Sequence, residues 1–209
     1  MSDTKTSPPR AVVFDLDGTL LDTWSIHARC LSGAVHELTG SPVGTLQLFR
    51  SQQPTDLGTL GRLVGADRAP EALGVYRALL SRELATASPQ PVAGVTAVLE
   101  GLRSHRIAVG VCTGRSREDA QSLLDAASLD VRLTVARQDA APKPMPDALL
   151  LTLRRLDTEP SKALFVGDSE WDRSQGGAAG VRTLIIGRSG LPAELADAQW
   201  PTEDDQTSA

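Results

Sequence analysis

The sequence predicts an α/β fold in which helices cover both faces of a parallel sheet and a helical segment is inserted near its start. Three observations carry this prediction. A short apolar strand pattern at 11–14 is followed by a long stretch without strand patterns, and a proline-rich break at 88–91 ends that stretch. From residue 92 onward, strand patterns alternate with helical patterns of about ten residues, which is typical of parallel sheets.

The composition is that of an ordinary globular protein, with 209 residues of which 41% are hydrophobic and 22% charged. The net charge of −5 and the lack of a basic run argue against nucleic acid as a partner. Cys30 and Cys112 have no metal-ligand spacing, which indicates a reducing compartment. No signal-peptide pattern or apolar run of roughly 18 residues is found, so we expect a cytoplasmic protein without a membrane partner.

The first strand is predicted at 11–14, because this run is continuous, apolar and rich in β-branched residues. It leads into two carboxylates, Asp15 and Asp17, which an extended backbone would point to the same side. Gly18 then allows a sharp exit of the chain. Two anions this close are unfavourable unless a cation or a proton separates them, and Mg²⁺ prefers such oxygen ligands. An Asx-type turn is the structural alternative.

Residues 22–89 are predicted to form a helical insertion. Apolar residues recur at helical spacing over 24–39, and Gly40 follows as a stop signal. Shorter segments without strand character are also predicted to be helices, at 43–50, 54–64 and 70–86. The prolines at 88–91 mark the return of the chain to the sheet.

The sheet domain is predicted to comprise 1–21 and 90–209, with the polar and acidic residues 200–209 as a disordered tail. Its remaining helices are predicted at 93–105, 116–127, 145–156 and 172–179. Its remaining strands are predicted at 107–112, 131–136, 163–167 and 182–187. Ligands of such sheets bind beyond the carboxyl ends of the strands, so the candidate site lies there.

Chemically versatile residues follow several of these strand ends. They are a pair of carboxylates, a hydroxyl with free backbone N–H groups, a lysine between prolines and a second pair of carboxylates: Asp15 and Asp17, Thr113 and Gly114, Lys143, and Asp168 and Asp172. Each alone has a structural explanation. Thr113 or Asp168 could cap a helix, Lys143 could be a solvated loop residue, and Asp172 could favour a first helical turn. Together at one sheet edge they indicate a phosphoryl-transfer site.

In order and spacing these segments resemble the four motifs of the haloacid dehalogenase superfamily, and specifically of its phosphatases. The matching stretches are VVFDLDGTLLDT, VCTGR, APKPMP and GDSEWD. The resemblance covers nearly the whole chain and implies a Rossmann-like core with strand order 5-4-1-2-3. It also implies that 22–89 is a C1-type cap. Phosphoglycolate-phosphatase-like and β-phosphoglucomutase-like members look most similar.

The resemblance further implies a Mg²⁺-dependent phosphatase acting on a small phosphorylated metabolite. Asp15 would attack phosphorus, and Asp17 would protonate the leaving oxygen and later take a proton from water. The metal would be held by the Asp15 carboxylate, the Asp17 backbone carbonyl, Asp168 and Asp172. The phosphate would be bound by Gly18, Thr19, Thr113, Gly114 and Lys143.

A β-phosphoglucomutase-like mutase is the main alternative, because His27 matches the position of a histidine in those enzymes. The insertion contains no lysine, which argues against a mutase and against the phosphonate hydrolases of the superfamily. Dehalogenating members lack an aspartate two residues after the nucleophile, so Asp17 argues against a C–halogen substrate. A catalytically silent binding protein would be expected to have lost Asp15 or Lys143.

Within the insertion, His27 and Arg50 are the candidates for contacts with the substrate. Outside it, Trp171 of the fourth motif is a candidate for shaping the entrance. The alternatives are a histidine facing the interdomain cleft, a surface arginine and a tryptophan packed on the cap. Overall resemblance makes phosphoglycolate the default substrate. We expect a monomer or a homodimer.

Overall fold

A five-stranded parallel sheet lies at the centre of the protein, for which a computed structural model describes residues 8–187 and 190–191. The strands are β1 (Ala11–Phe14), β2 (Leu21–Asp22), β3 (Gln90–Pro91), β4 (Ala108–Cys112), β5 (Thr134–Val135), β6 (Ala163–Gly167) and β7 (Arg182–Ile185). The sheet has the order β5-β4-β1-β6-β7, and β2 pairs with β3 separately. If the five strands of this sheet are renumbered 1 to 5 in chain order, their order read from the β7 edge is 5-4-1-2-3, as predicted.

Eight helices are found in the described part of the chain. Four lie between β2 and β3: α1 (Trp24–Thr39), α2 (Thr45–Ser51), α3 (Asp56–Val64) and α4 (Ala69–Leu84). Four alternate with the sheet strands: α5 (Val95–Ser104), α6 (Arg117–Ala126), α7 (Asp147–Arg155) and α8 (Glu170–Ala179). Every predicted helix is present, and the observed ends differ from the predicted ones by at most two residues. None of these helices is long and apolar enough to cross a membrane.

The strand predicted at 131–136 is too long. Only Thr134 and Val135 pair with β4, opposite Val111 and Cys112. This strand is the edge of the sheet, so a single neighbour supports it, and Ala136 already donates its backbone N–H to the Asp139 carboxylate of the next turn. The predicted disordered tail at 200–209 lies outside the described residues.

The central strand β1 is buried on both faces, which explains its uninterrupted apolar sequence. Val12 and Phe14 belong to a hydrophobic cluster that includes side chains of α5 and α6, whereas Val13 belongs to a cluster that includes side chains of α7 and α8. Because successive strand residues point to opposite faces, these two clusters are the two layers of the α/β fold. Helices on both faces are therefore confirmed.

The proline-rich segment 88–91 is more ordered than a linker. It contains β3, whose Pro91 and Gln90 pair antiparallel with Leu21 and Asp22 of β2. The backbone N–H of Val92 continues this contact by donating to the Leu20 carbonyl at 3.0 Å. The chain thus leaves and re-enters the sheet region through two neighbouring strands.

The glycines of α8 provide a test of how this helix packs on the sheet. A Cβ at Gly176 would overlap the Thr183 hydroxyl and lie 2.9 Å from Thr183 Cβ on β7, whereas a Cβ at Gly177 would meet nothing within 4 Å. We expect Gly176→Ala to lower the free energy of unfolding by about 1–3 kcal/mol, because the helix must shift. Gly177→Ala should raise it by up to about 1 kcal/mol through helix propensity.

Urea denaturation of both variants measures this difference. Equal effects of the two substitutions would contradict the packing of α8 on β7.

Candidate active site

A cavity of about 210 Å³ lies beyond the carboxyl ends of β1, β4 and β6. Most sequence-predicted site residues line it: Asp15, Asp17, Gly18, His27, Thr113, Gly114, Lys143, Asp168 and Trp171. Three predicted residues do not: Thr19, Arg50 and Asp172. The cavity is closed on the other side by residues of the helical insertion, namely Trp24, His27 and the segment 52–56.

The chain reverses sharply after β1, and this turn determines the positions of the Asp15 and Asp17 carboxylates. Asp15 extends the strand, because its backbone N–H donates to the Val166 carbonyl at 2.8 Å. Gly18 then adopts a φ of 75°, a conformation that favours glycine, and its N–H donates to the Leu21 carbonyl at 2.8 Å. A side chain at Gly18 would overlap the Asp168 carboxylate, so glycine also lets the ends of β1 and β6 approach.

Lys143 lies between two carboxylates and is only 8% exposed. Its ammonium donates a hydrogen bond to Asp15 and lies 2.5 Å from Oδ1 of Asp172, outside hydrogen-bonding geometry. Burial alone would lower the pKa of Lys143, but Asp15 and Asp172 outweigh this effect and raise it. A solvated loop lysine is therefore excluded.

Asp15, Asp168 and Asp172 form a cluster of acids whose ligand oxygens all lie within 4.8 Å of one another. Burial raises the pKa of Asp15 well above its ordinary value; Lys143 opposes this rise and the neighbouring aspartates add to it. Burial and then the charge of Asp172 raise the pKa of Asp168 to about 6. A hard divalent cation fits here, because it would relieve this repulsion with the oxygen ligands that Mg²⁺ prefers.

The helix-cap alternatives of the sequence are resolved by the observed caps. Ser116 caps α6 by accepting from the Asp119 N–H, and Ser169 caps α8 by accepting from the Asp172 N–H. Thr113 and Asp168 are therefore not helix caps. Asp172 does stabilise the first turn of α8, since its Oδ2 accepts from the Ser169 N–H at 3.1 Å. Its Oδ1 remains directed to Lys143, so this residue serves the helix and the acid cluster together.

The sequence interpretation missed Arg115, which holds the second carboxylate. Its Nε and Nη2 donate to the two oxygens of Asp17 at 2.9 and 2.7 Å, and its side chain is 4% exposed. Thr23 adds a hydroxyl hydrogen bond to Asp17 at 2.5 Å. Burial by itself raises the pKa of Asp17, but Arg115 and these hydrogen bonds lower it to about 2. Asp17 is thus an oriented carboxylate in the described structure.

Arg115 also connects the core to the insertion. Its Nη1 donates to the Tyr76 hydroxyl of α4 and lies 3.6 Å from Oδ2 of Asp56 at the start of α3. The His27 Nδ1 lies 2.8 Å from the Tyr76 hydroxyl. We call these five residues, Asp17, His27, Asp56, Tyr76 and Arg115, the Arg115 cluster. Two sequence signals could have indicated this cluster. Tyr76 has a polar hydroxyl on the apolar face of a helix, and Arg115 directly follows the Thr-Gly at a strand end.

The segment 52–55 between α2 and α3 lies against the core backbone. A Cβ at Gly114 would overlap the Pro54 carbonyl oxygen, so only glycine permits this approach. Thr55 caps α3 by accepting from the Gly58 N–H at 3.1 Å, and the Gln53 N–H donates to the Thr59 hydroxyl at 2.9 Å. These bonds fix the segment over the phosphate-binding candidates Thr113 and Gly114.

The remaining predicted residues differ in their positions. His27 lines the cavity, and burial followed by the charge of Arg115 lowers its pKa to about 4. Trp171 stands at the rim with 41% exposure. Arg50 is exposed on α2 and does not line the cavity, because its side chain lies on the solvent side of that helix. Thr19 is fully buried away from the cavity, and its hydroxyl makes no hydrogen bond to the described residues.

Comparisons with known proteins agree with this architecture. A haloacid dehalogenase-like hydrolase family profile matches residues 12–186. A phosphoglycolate phosphatase of Rhodospirillum rubrum is 33% identical, over 85% of this chain and 79% of its own. An N-acetylmuramic acid 6-phosphate phosphatase of Pseudomonas aeruginosa is 27% identical, over 91% and 87%. The structure of CbbY from Rhodobacter sphaeroides in complex with phosphate has a TM-score of 0.77 at 21% identity, with 92% of both chains covered.

The contact between Arg115 and Tyr76 predicts energetic coupling between the core and the insertion. In a double-mutant cycle of Arg115→Lys and Tyr76→Phe, we expect the unfolding free energies to be non-additive by about 0.5–3 kcal/mol, because each substitution removes a partner of the other. Urea denaturation provides the measurement. As a control, Tyr76→Phe combined with Arg154→Lys on the exposed face of α7 should be additive. Additivity of the first pair would show that the two side chains do not interact in solution.

Proposed function

Because the chain belongs to the haloacid dehalogenase-like hydrolases, we propose that it is a Mg²⁺-dependent phosphatase. It hydrolyses a small phosphomonoester through an aspartyl-phosphate formed on Asp15. One observation carries the proposal above all. Asp15 and Lys143, 128 residues apart in the chain, meet in a buried ion pair beside Asp168 and Asp172 at the wall of a cavity. This is the charge arrangement that phosphoryl transfer needs.

Asp15 is the nucleophile of this proposal. Its carboxylate attacks phosphorus in line, the bond from phosphorus to the alcohol oxygen breaks, and the phosphoryl group is transferred to Asp15. The Lys143 ammonium favours the ionised form of Asp15 against the effect of burial. The Thr113 hydroxyl and the backbone N–H groups at Gly114 bind the oxygens of the transferring group. A water molecule then attacks the aspartyl-phosphate and restores Asp15.

Asp17 moves the protons of both steps. Arg115 orients its carboxylate and lowers its pKa, so Asp17 takes the proton of the attacking water while the charge of the phosphoryl group raises that pKa again. For the first step it must carry a proton, and the negative charge of a bound phosphate raises its pKa toward that state. The leaving alcoholate receives this proton.

Mg²⁺ would be held by the Asp15 and Asp168 carboxylates and the Asp17 carbonyl, with Asp172 in direct or water-mediated contact. When bound, it supplies positive charge against the phosphoryl oxygens and the clustered carboxylates. The acid cluster supports this assignment, because its three carboxylates are otherwise brought together against their mutual repulsion.

Residues 22–89 would act as a cap over this site. The four helices of this segment lie between β2 and β3, and several of their residues form one wall of the cavity. A closed cap excludes water and bulky groups together, which restricts the substrate to a small metabolite. The proposed setting is a monomer or homodimer in the cytoplasm.

A phosphosugar mutase is the second candidate, since His27 lines the cavity. No lysine of the described insertion faces the cavity, which favours the phosphatase. The two activities differ in their products. A phosphatase releases inorganic phosphate, whereas a mutase interconverts sugar phosphates, needs a bisphosphate primer and releases little phosphate. The names of the relatives refer to different substrates, so only overall similarity favours phosphoglycolate as the substrate.

The nucleophile can be tested with an isosteric substitution. We expect Asp15→Asn to lower Mg²⁺-dependent release of phosphate from p-nitrophenyl phosphate by at least ~10³-fold, because the amide cannot attack phosphorus. Asp22→Asn, at an exposed position in the same segment, is the matched control and should retain the activity. Substantial turnover by Asp15→Asn would contradict the mechanism.

Metal removal tests the second part of the proposal. EDTA should abolish phosphate release from p-nitrophenyl phosphate, and excess Mg²⁺ should restore it, since the acid cluster repels a phosphate without a cation. Asp168→Asn should raise the Mg²⁺ concentration needed for half-maximal activity by about 10-fold or more. Activity that is insensitive to EDTA would contradict a metal at this cluster.

A further inference from the structure

We infer that the substrate is the phosphomonoester of an uncharged polyhydroxy alcohol, such as a sugar or polyol phosphate, and that its leaving group carries no carboxylate or second phosphate. The inference rests on the proposed phosphatase function and adds the class of the leaving group. It follows from the charges and free hydrogen-bonding groups that line the cavity on the side of the insertion.

Both cations that line the cavity in the described structure are already neutralised. Lys143 lies between Asp15 and Asp172, at the phosphoryl end. Arg115 donates two hydrogen bonds to Asp17 and one to Tyr76, and it also faces Asp56. These three bonds use three of its five N–H donors, and the remaining two belong to Nη1, which lies 3.6 Å from Oδ2 of Asp56, and to Nη2, which lies 3.4 Å from the His27 Nδ1. The positive charge of Arg115 is therefore already shared by Asp17 and Asp56, which weakens its attraction for a further carboxylate.

The insertion adds no positive charge to the cavity wall. Its contributions are Trp24, His27, Gln52, Gln53, Pro54, Thr55 and Asp56. Apart from His27, the one residue among them with an acidic or basic side chain is Asp56, which is an acid. Arg50, the one basic candidate of the insertion in the sequence interpretation, is exposed and does not line the cavity. A leaving group with its own negative charge would thus face acidic and neutral groups at short range.

Asp56 keeps spare capacity to accept hydrogen bonds. Its carboxylate forms ion pairs with the Arg115 Nη1 at 3.6 Å and the His27 Nδ1 at 3.8 Å, and both distances exceed that of a hydrogen bond. A ligand that supplies O–H donors on the cavity side would complete the hydrogen bonding of this carboxylate. Hydroxyl groups of an alcohol provide such donors, whereas a carboxylate provides none.

The rest of the wall suits a hydroxylated ligand. The side-chain amides of Gln52 and Gln53 can donate and accept hydrogen bonds, as can the Thr55 hydroxyl. Trp24 and Trp171 offer apolar surface for the carbon skeleton. Neutral amides and hydroxyls next to one acid can replace the hydrogen bonds that a polyol makes with water. They provide no positive charge with which a second anion of the substrate could pair.

A matched pair of substrates tests the inference. 2-Hydroxyethyl phosphate differs from 2-phosphoglycolate in a CH₂OH group that replaces the carboxylate. We expect kcat/KM for 2-hydroxyethyl phosphate to exceed that for 2-phosphoglycolate by at least about tenfold. Glycerol 3-phosphate, with one more hydroxyl, should be the better substrate again. A kcat/KM for 2-phosphoglycolate equal to or above that of its neutral partner would overturn the inference.

Two variants place the effect at the insertion side of the cavity. Gln53→Arg adds a cation there and should raise the ratio of kcat/KM for 2-phosphoglycolate over 2-hydroxyethyl phosphate by about tenfold. Gln47→Arg, the same substitution at an exposed position of α2 outside the cavity, should leave that ratio unchanged. Asp56→Asn removes the facing acid and should raise the ratio as well. If neither Gln53→Arg nor Asp56→Asn changes the ratio, the assigned leaving-group side is wrong.

The failure of this inference is distinguishable from failure of the proposed function. Phosphate release from p-nitrophenyl phosphate together with a preference for 2-phosphoglycolate would support the phosphatase function and contradict the polyol substrate. No phosphate release from p-nitrophenyl phosphate or from any of the three alkyl phosphates would contradict both proposals.

Discussion

Electrostatic repulsion at one edge of the sheet is the constraint around which this site is built. Asp15, Asp17, Asp168 and Asp172 converge there from two strand ends, and the insertion adds Asp56. Two buried cations hold these acids together, Lys143 at one side and Arg115 at the other. Removing one buried partner of such a set leaves uncompensated charge, which costs several kcal/mol. The geometry of the cavity therefore depends on the two cations as much as on the sheet.

The two cations do different work because their side chains differ. The Lys143 ammonium is a compact charge that fits between Asp15 and Asp172 without prescribing their orientation. The planar fork of Arg115 fixes both oxygens of Asp17 and still reaches Tyr76 on α4. One cation thus serves the core alone, whereas the other makes the orientation of Asp17 depend on where the insertion sits.

Much of the fold and the core of the site could be predicted from sequence, because both depend on local patterns. Periodicity located the helices to within two residues. Strand ends indicated Asp15, Thr113 and Asp168, and the flanking prolines of a loop indicated Lys143. The remainder depends on tertiary contacts that no local pattern carries. The pairing of β2 with β3 joins residues nearly seventy positions apart, and the length of β5 is decided by its single neighbour. Arg115 is important through its contacts with Asp17 and Tyr76, which lie far from it in the sequence.

The pairing of β2 with β3 has a consequence for how this chain can vary. Because the two strands are neighbours, the ends of the inserted segment are only about 5 Å apart, the spacing of paired strands. Lengthening a segment between ends fixed this close costs little entropy, since the cost grows only with the logarithm of its length. The sheet and its acid cluster can therefore accept a longer inserted segment at low entropic cost, provided that the groups that contact Arg115 are kept. Residues of the insertion that line the cavity without contacting Arg115 can change separately.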